Sequence, residues 1–144
     1  MGHWVINDSR GIRSYPYSTS ATRNPLRYSS IGGLNEVHDI GEVWANILHV
    51  VYGALVAEHG FASDARTNPA STAGNSVWLH LFLDALAIQP CNPTLLTGRD
   101  SWIQADANRY GGANRCLLWN AFASRGLGQR AANFRDDSTV PSGC

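Results

Sequence analysis

Asn35-Glu36-Val37-His38-Asp39-Ile40-Gly41-Glu42-Val43-Trp44-Ala45-Asn46-Ile47-Leu48-His49-Val50-Val51-Tyr52-Gly53-Ala54-Leu55 is the stretch that decides the fold of this chain. Val37, Ile40, Trp44, Ile47, Leu48, Val51 and Leu55 recur at the i, i+3, i+4, i+7 spacing of a helix with one apolar face. The spacing predicts a helix over 36–59, with Asn35 as N-cap and Gly60 as the glycine that ends it.

Helical patterns continue downstream of this segment. Residues 61–74 read as a loop around Asn68-Pro69, and Asn75 opens a second helical run from Ser76 to Gln89. That run is apolar on nearly every side except at His80 and Asp84, the pattern of a central, buried helix. Asn92-Pro93 opens a third run with proline in its first turn, extending to about Asn108 before Gly111-Gly112 breaks it. A fourth runs from Asn114 to Ser124 and stops at Gly126 and Gly128. Residues 1–33 carry no sustained period and read as an extended segment laid over the helices. The expectation is one domain of the all-α class. It is a compact bundle of about four helices over 34–126, with an extended N-terminal segment at 1–33 and a loose polar tail at 127–144.

Composition narrows the function classes. With 144 residues, 44% hydrophobic and only 15% charged, the chain has enough apolar mass for one core and is not disordered. No run reaches the ~18 apolar residues of a membrane span. No charged leader followed by an apolar stretch opens the chain. Eleven acids balance eleven bases, and every base is arginine. Four of those arginines lie in 1–27, eight acids lie in 28–108, and five more arginines lie in 109–135. Such blocks imply pairing within the molecule. A nucleic-acid surface would need one uncompensated basic face, so nucleic acid is not an expected partner despite the arginine-tyrosine interleaving around Tyr15 and Tyr17.

Cys91, Cys116 and Cys144 are an odd number and form no C-x-x-C pair. A Cys91–Cys116 bridge would join the end of the second helix to the start of the fourth, leaving Cys144 free or paired with a second chain as a disulfide dimer. The alternative is two buried thiols. Asn7-Asp8-Ser9 is a glycosylation acceptor if the chain is secreted.

On a projection of 100° per residue, His38, Glu42 and His49 fall together, opposite Ile40, Trp44, Ile47 and Val51. Two imidazoles and a carboxylate beside an apolar stripe either line a cleft or make a solvated face. His38 and Glu42 at i, i+4 offer two metal ligands, His49 is too far along for a third, and there is no H-E-x-x-H in the chain. His80 and Asp84, also at i, i+4, read as a structural histidine–carboxylate pair. The tryptophans read mainly as packing.

Leu34-Asn35-Glu36-Val37-His38-Asp39-Ile40-Gly41-Glu42-Val43-Trp44 resembles the second active-site motif of the fungalysin family of secreted fungal zinc metalloendopeptidases. Gly11-Ile12-Arg13-Ser14-Tyr15-Pro16-Tyr17 resembles the stretch ahead of that motif, and Gln89-Pro90-Cys91-Asn92-Pro93 the turn after the family's central helix. Gly112-Ala113-Asn114-Arg115-Cys116 and Trp119 through Gly128 resemble its C-terminal signature, while Met1-Gly2-His3-Trp4 is similar to an internal stretch. The resemblance covers nearly the whole chain and implies the helical C-terminal part of a catalytic module. In the family, zinc is held by an H-E-x-x-H helix and a further glutamate upstream of the matched region, with the motif's glutamate as general base.

By the same resemblance, His38 is the catalytic histidine that stabilises the tetrahedral oxyanion, and Arg13 is the substrate-binding arginine that holds a substrate carbonyl. The thermolysin-like relatives orient that histidine with an aspartate five residues earlier. Gly33 stands there in this sequence, so Asn35 or an upstream residue is expected to take the role. Cys91 and Cys116 match the family's cysteine pair, which implies a disulfide between them. No metal ligand and no cofactor are expected within this chain, and secretion is implied by the resemblance. The expected partner is the zinc-binding half, whose absence would leave the His38 face open to self-association. The rival reading is a standalone relic with a peptide or glycan ligand, as a lectin-like or defence protein, or a hydrolase reusing Arg13, His38 and Glu42.

Overall fold

The computed structural model describes residues 2–9 and 11–144. Among these are a short α1 (His3–Ile6), a 3-10 helix (Tyr28–Gly33), α2 (Val37–His59), α3 (Gly74–Ile88), α4 (Leu95–Tyr110) and α5 (Arg115–Ser124). Two isolated β-bridges, Leu127 with Asp137 and Ala132 with Arg135, are the only extended pairings among the described residues, so the fold is all-α.

The long helix α2 organises the rest, packing against α3 and α5, with α4 behind them. Val43, Ile47, Val51 and Leu55 are fully buried and meet Leu81 of α3, Trp102 of α4, and Leu118 and Phe122 of α5. Trp44, Phe122, Trp102, Trp78 and Phe82 form a continuous run of ring contacts with centroids 5.2–6.4 Å apart. Trp4 differs, being exposed in α1. By length and mean hydropathy α2 is able to cross a bilayer, contrary to the reading that no run is long enough. Its apolar stripe lies inside the bundle instead, and it carries buried Glu42 and Asn46.

The caps differ from the expected ones by one or two residues. Glu36, not Asn35, caps α2, and Gly60 ends it as expected. Glycine opens α3 because Gly74 lies against the backbone of Leu55 and Val56, where any Cβ would collide. Asn75 instead bridges to the loop, accepting from Ala62 N at 3.0 Å and donating to Ala62 O at 2.7 Å. Thr94 caps α4 in a reciprocal box with Thr97, so Pro93 sits just outside the helix. The apolar pattern of α3 predicts a central helix, but Leu79, Leu83, Leu86 and Ile88 are exposed along its outer side.

Residues 12–27 form a strap over α2. Glu42 accepts from Ser14 N (3.0 Å) and Tyr15 N (2.8 Å), and one turn on Asn46 accepts from Ser18 N (3.0 Å). Arg125, at the end of α5, donates to Ser18 O, Thr19 O, Asn24 O and Leu26 O. The segment after α5 is also tied down, not loose. Asp136 accepts from Ser29 N and Ser29 Oγ and pairs with Arg27, Arg99 donates to Leu127 O and Gly128 O, and Leu127 is fully buried.

The disulfide joins Cys116 to Cys144, correcting the expected Cys91–Cys116 bridge and leaving no Cys144 thiol for a dimer. Cys91 is free and exposed in the α3–α4 turn. The correction follows from the tail. Because residues 127–143 fold back over α5, the chain end reaches the first turn of α5, where the Cα atoms of Cys116 and Cys144 are 4.9 Å apart. A bridge across 28 positions limits the unfolded chain by roughly 3.5 kcal/mol. Cys144→Ser is therefore expected to lower the unfolding free energy by about 2–4 kcal/mol in urea titrations, and Cys91→Ser to leave it within about 0.5 kcal/mol.

Candidate functional site

The first turn of α2 has free backbone N–H groups that draw a negative group to it. Glu36 supplies one from an extended backbone (φ −97°, ψ 126°), its Oε2 accepting from His38 N at 2.7 Å and Asp39 N at 3.0 Å. Its second oxygen, Oε1, lies 2.7 Å from His38 Nδ1. A carboxylate only accepts, so Nδ1 carries the proton and donates it. The bond to His38 is the largest cause that holds the Glu36 carboxyl below its usual range.

Arg13 reaches the same turn from the strap, its Nη1 donating to His38 O at 3.0 Å. The two site residues expected from the sequence are thus brought together, through the histidine's backbone carbonyl. The His38 side chain is 74% exposed, and its Nε2 has no hydrogen-bond partner among the described residues. Val37 lies exposed next to it, and an apolar groove of about 340 Å³ runs past Val37, Ile40 and Trp44 towards Leu95 of α4.

The other candidates separate. Glu42 is not on a shared open face with His38, because it is buried and both its oxygens are taken by strap amides. His49 lies in an aromatic pocket with Tyr17, Tyr52 and Trp78. Burial there, reinforced by the charge of Arg125, pushes its imidazole below the ordinary histidine range. His80 and Asp84 do not pair. His80 Nδ1 bonds to Tyr110 Oη at 2.7 Å, while Asp84 binds Arg109 in a two-pronged ion pair.

No group of three or more His, Cys, Asp or Glu side chains converges to hold a metal among the described residues. His38 and Glu42 in particular cannot act together as ligands while Glu42 is saturated by the strap. These side chains do not make a zinc site among the described residues.

Glu36 is the contact of His38 that the sequence did not single out. Its signal is a glutamate immediately before the first apolar-periodic residue and two before a histidine.

The sequence pattern of the fungalysin metallopeptidases (M36) matches residues 1–131, and the chain belongs to that family. It is 49% identical to an extracellular metalloproteinase of Pyricularia oryzae, with 99% of this chain aligned to 24% of that protein. It is also 43% identical to an extracellular metalloproteinase of Aspergillus niger and 41% identical to extracellular metalloproteinase 2 of Arthroderma gypseum, each match using 100% of this chain and 24% of the relative. The chain therefore spans about a quarter of the length of these curated relatives.

Removing the Glu42 carboxylate strands the amides of Ser14 and Tyr15. Glu42→Ala is expected to cost about 2–3 kcal/mol of unfolding free energy and to open residues 12–27 to limited proteolysis. Glu42→Asp, shorter by one methylene, is expected to fall between the two on both measurements.

Proposed function

We propose that this chain is the part of a secreted fungalysin-type metalloendopeptidase that supplies polar donors to the reacting peptide, and that it works joined to the zinc-binding remainder. The observation that carries this reading is the exposed His38 ring at the start of α2, with Nδ1 held by Glu36 and Nε2 turned away from that bond. In the imidazolium form, Nε2–H donates to the carbonyl oxygen of the scissile bond as negative charge develops there. A donor of this kind acts on the transition state more strongly than on the ground state. Arg13, anchored through Nη1 to His38 O, has further guanidinium N–H groups for a second substrate carbonyl.

The remainder of such an enzyme is the proposed partner. Exposed Val37, next to His38 in α2, and the apolar groove past Ile40 and Trp44 give that partner an apolar surface to cover. Zinc and the general base belong to that remainder, and the chain alone is expected to show no peptidase activity. Secretion is proposed on the ground that the relatives named above are extracellular metalloproteinases. Those same relatives lend no support to a lectin-like or defence role.

The test places residues 1–144 in the Pyricularia oryzae metalloproteinase in exchange for the matching quarter. His38→Ala is expected to lower kcat of the chimaera about 10²–10³-fold with little change in KM. Full activity without His38 would overturn the proposal.

A further inference from the structure

We infer that Glu36 is the positioning residue of this site, fixing the His38 ring through its second carboxylate oxygen while the first caps α2. The inference rests on the reading of His38 given above. Gly33, five residues ahead of His38, has no side chain to offer the ring, and no other group comes within 4 Å of where its Cβ would be. Asn35 makes no side-chain hydrogen bond among the described residues. Glu36 makes three, two to backbone amides from Oε2 and one to the ring from Oε1.

Capping alone does not explain a glutamate here. Serine, threonine, aspartate and asparagine are the preferred N-caps because a short side chain reaches the free amides best. The longer glutamate reaches both the amides and the imidazole. Since Oε2 is held by two amides of a rigid helix, Oε1 is a fixed acceptor, and the ring that donates to it has a fixed orientation. The arrangement also sets which nitrogen is available outward. Nδ1–H is committed to Glu36, so Nε2 is the atom presented to a substrate, and it donates there in the imidazolium form. The depressed carboxyl pKa of Glu36, caused first by the His38 bond, agrees with an ionised acceptor.

The test separates capping from ring positioning. In the ¹⁵N-labelled 144-residue chain, long-range ¹H–¹⁵N spectra at alkaline pH report which ring nitrogen of His38 is protonated. Wild type is expected to hold the Nδ1–H tautomer, and Glu36→Gln to keep it, because the amide oxygen still accepts. Glu36→Ser retains a good cap and unchanged amide shifts over 40–59, yet is expected to shift His38 to the Nε2–H form that is preferred without a partner on Nδ1. An unchanged tautomer in Glu36→Ser would overturn the inference.

In the chimaera, Glu36→Ser is expected to lower kcat about tenfold with KM nearly constant, and to add nothing in a His38→Ala background. An undiminished kcat alongside a changed tautomer would overturn the role of Glu36 in the reaction. A fully active His38→Ala chimaera would instead overturn the reading of His38, leaving the tautomer experiment to decide the contact itself.

Discussion

The guanidinium of Arg125 is the interaction on which the rest of this structure depends. It is 2% exposed, and an uncompensated charge there would be costly. Compensation comes from backbone carbonyls of one segment, with Nη1 on Asn24 O at 2.6 Å and Nη2 on Ser18 O and Thr19 O at 3.0 and 3.1 Å. The carbonyl of Arg125 itself accepts from Tyr28 N. Burial, aided by the nearby charge of Arg27, pushes its pKa below the usual arginine range. The end of α5 thereby fixes a segment about a hundred positions earlier, and that segment carries Arg13 to the start of α2. The contact of Arg13 on His38 O follows from this anchor.

The same device recurs beside it, just past the end of α5. Arg99, also buried, donates to Leu127 O and Gly128 O while its guanidinium stacks 4.8 Å from the Trp119 ring centroid. Asp106 accepts from the backbone and side chain of Asn114, whose Oδ1 lies 2.6 Å from His59 Nε2, linking α4, α5 and α2. Irregular segments at both chain ends are thus held by buried polar side chains from helices. Their exposed counterpart is the Glu36–His38–Arg13 cluster at the start of α2.

Much of the fold was legible because helix signals are local. The stripe from Val37 to Leu55, the glycine at 60 and the double glycine at 111–112 marked elements without knowledge of their neighbours. Readings failed where a distant segment decided the outcome. Projection put Glu42 opposite the core stripe but carried no information that the strap would bury it. His80 and Asp84 have pairing spacing, yet Tyr110 and Arg109 of α4 claim them separately. Cysteine spacing could not show that the tail returns to α5, so Cys144, not Cys91, is the partner of Cys116. At the site, His38 and Arg13 were read from resemblance, while their link through a backbone carbonyl is a tertiary contact between segments 25 positions apart. Charge blocks suggested pairing between the acidic middle and the basic ends. Arg109–Asp84 fulfils this, whereas Arg125 turns to carbonyls and Arg99, within the acidic middle, divides its donors between Asp100 and the carbonyls of Leu127 and Gly128.

The central claim is that buried side chains of the helical bundle hold the strap, and so place Arg13 beside His38. Native-state hydrogen exchange at the amides of Ser14, Tyr15 and Ser18 tests it most directly. If the claim holds, these amides exchange only through global unfolding, with the same free energy as the α2 core around Val51, and Arg125→Met drops all three to local opening while Val51 stays protected relative to the strap. Fast exchange at the three amides in the unaltered chain would contradict it, because the strap would then open independently of the bundle.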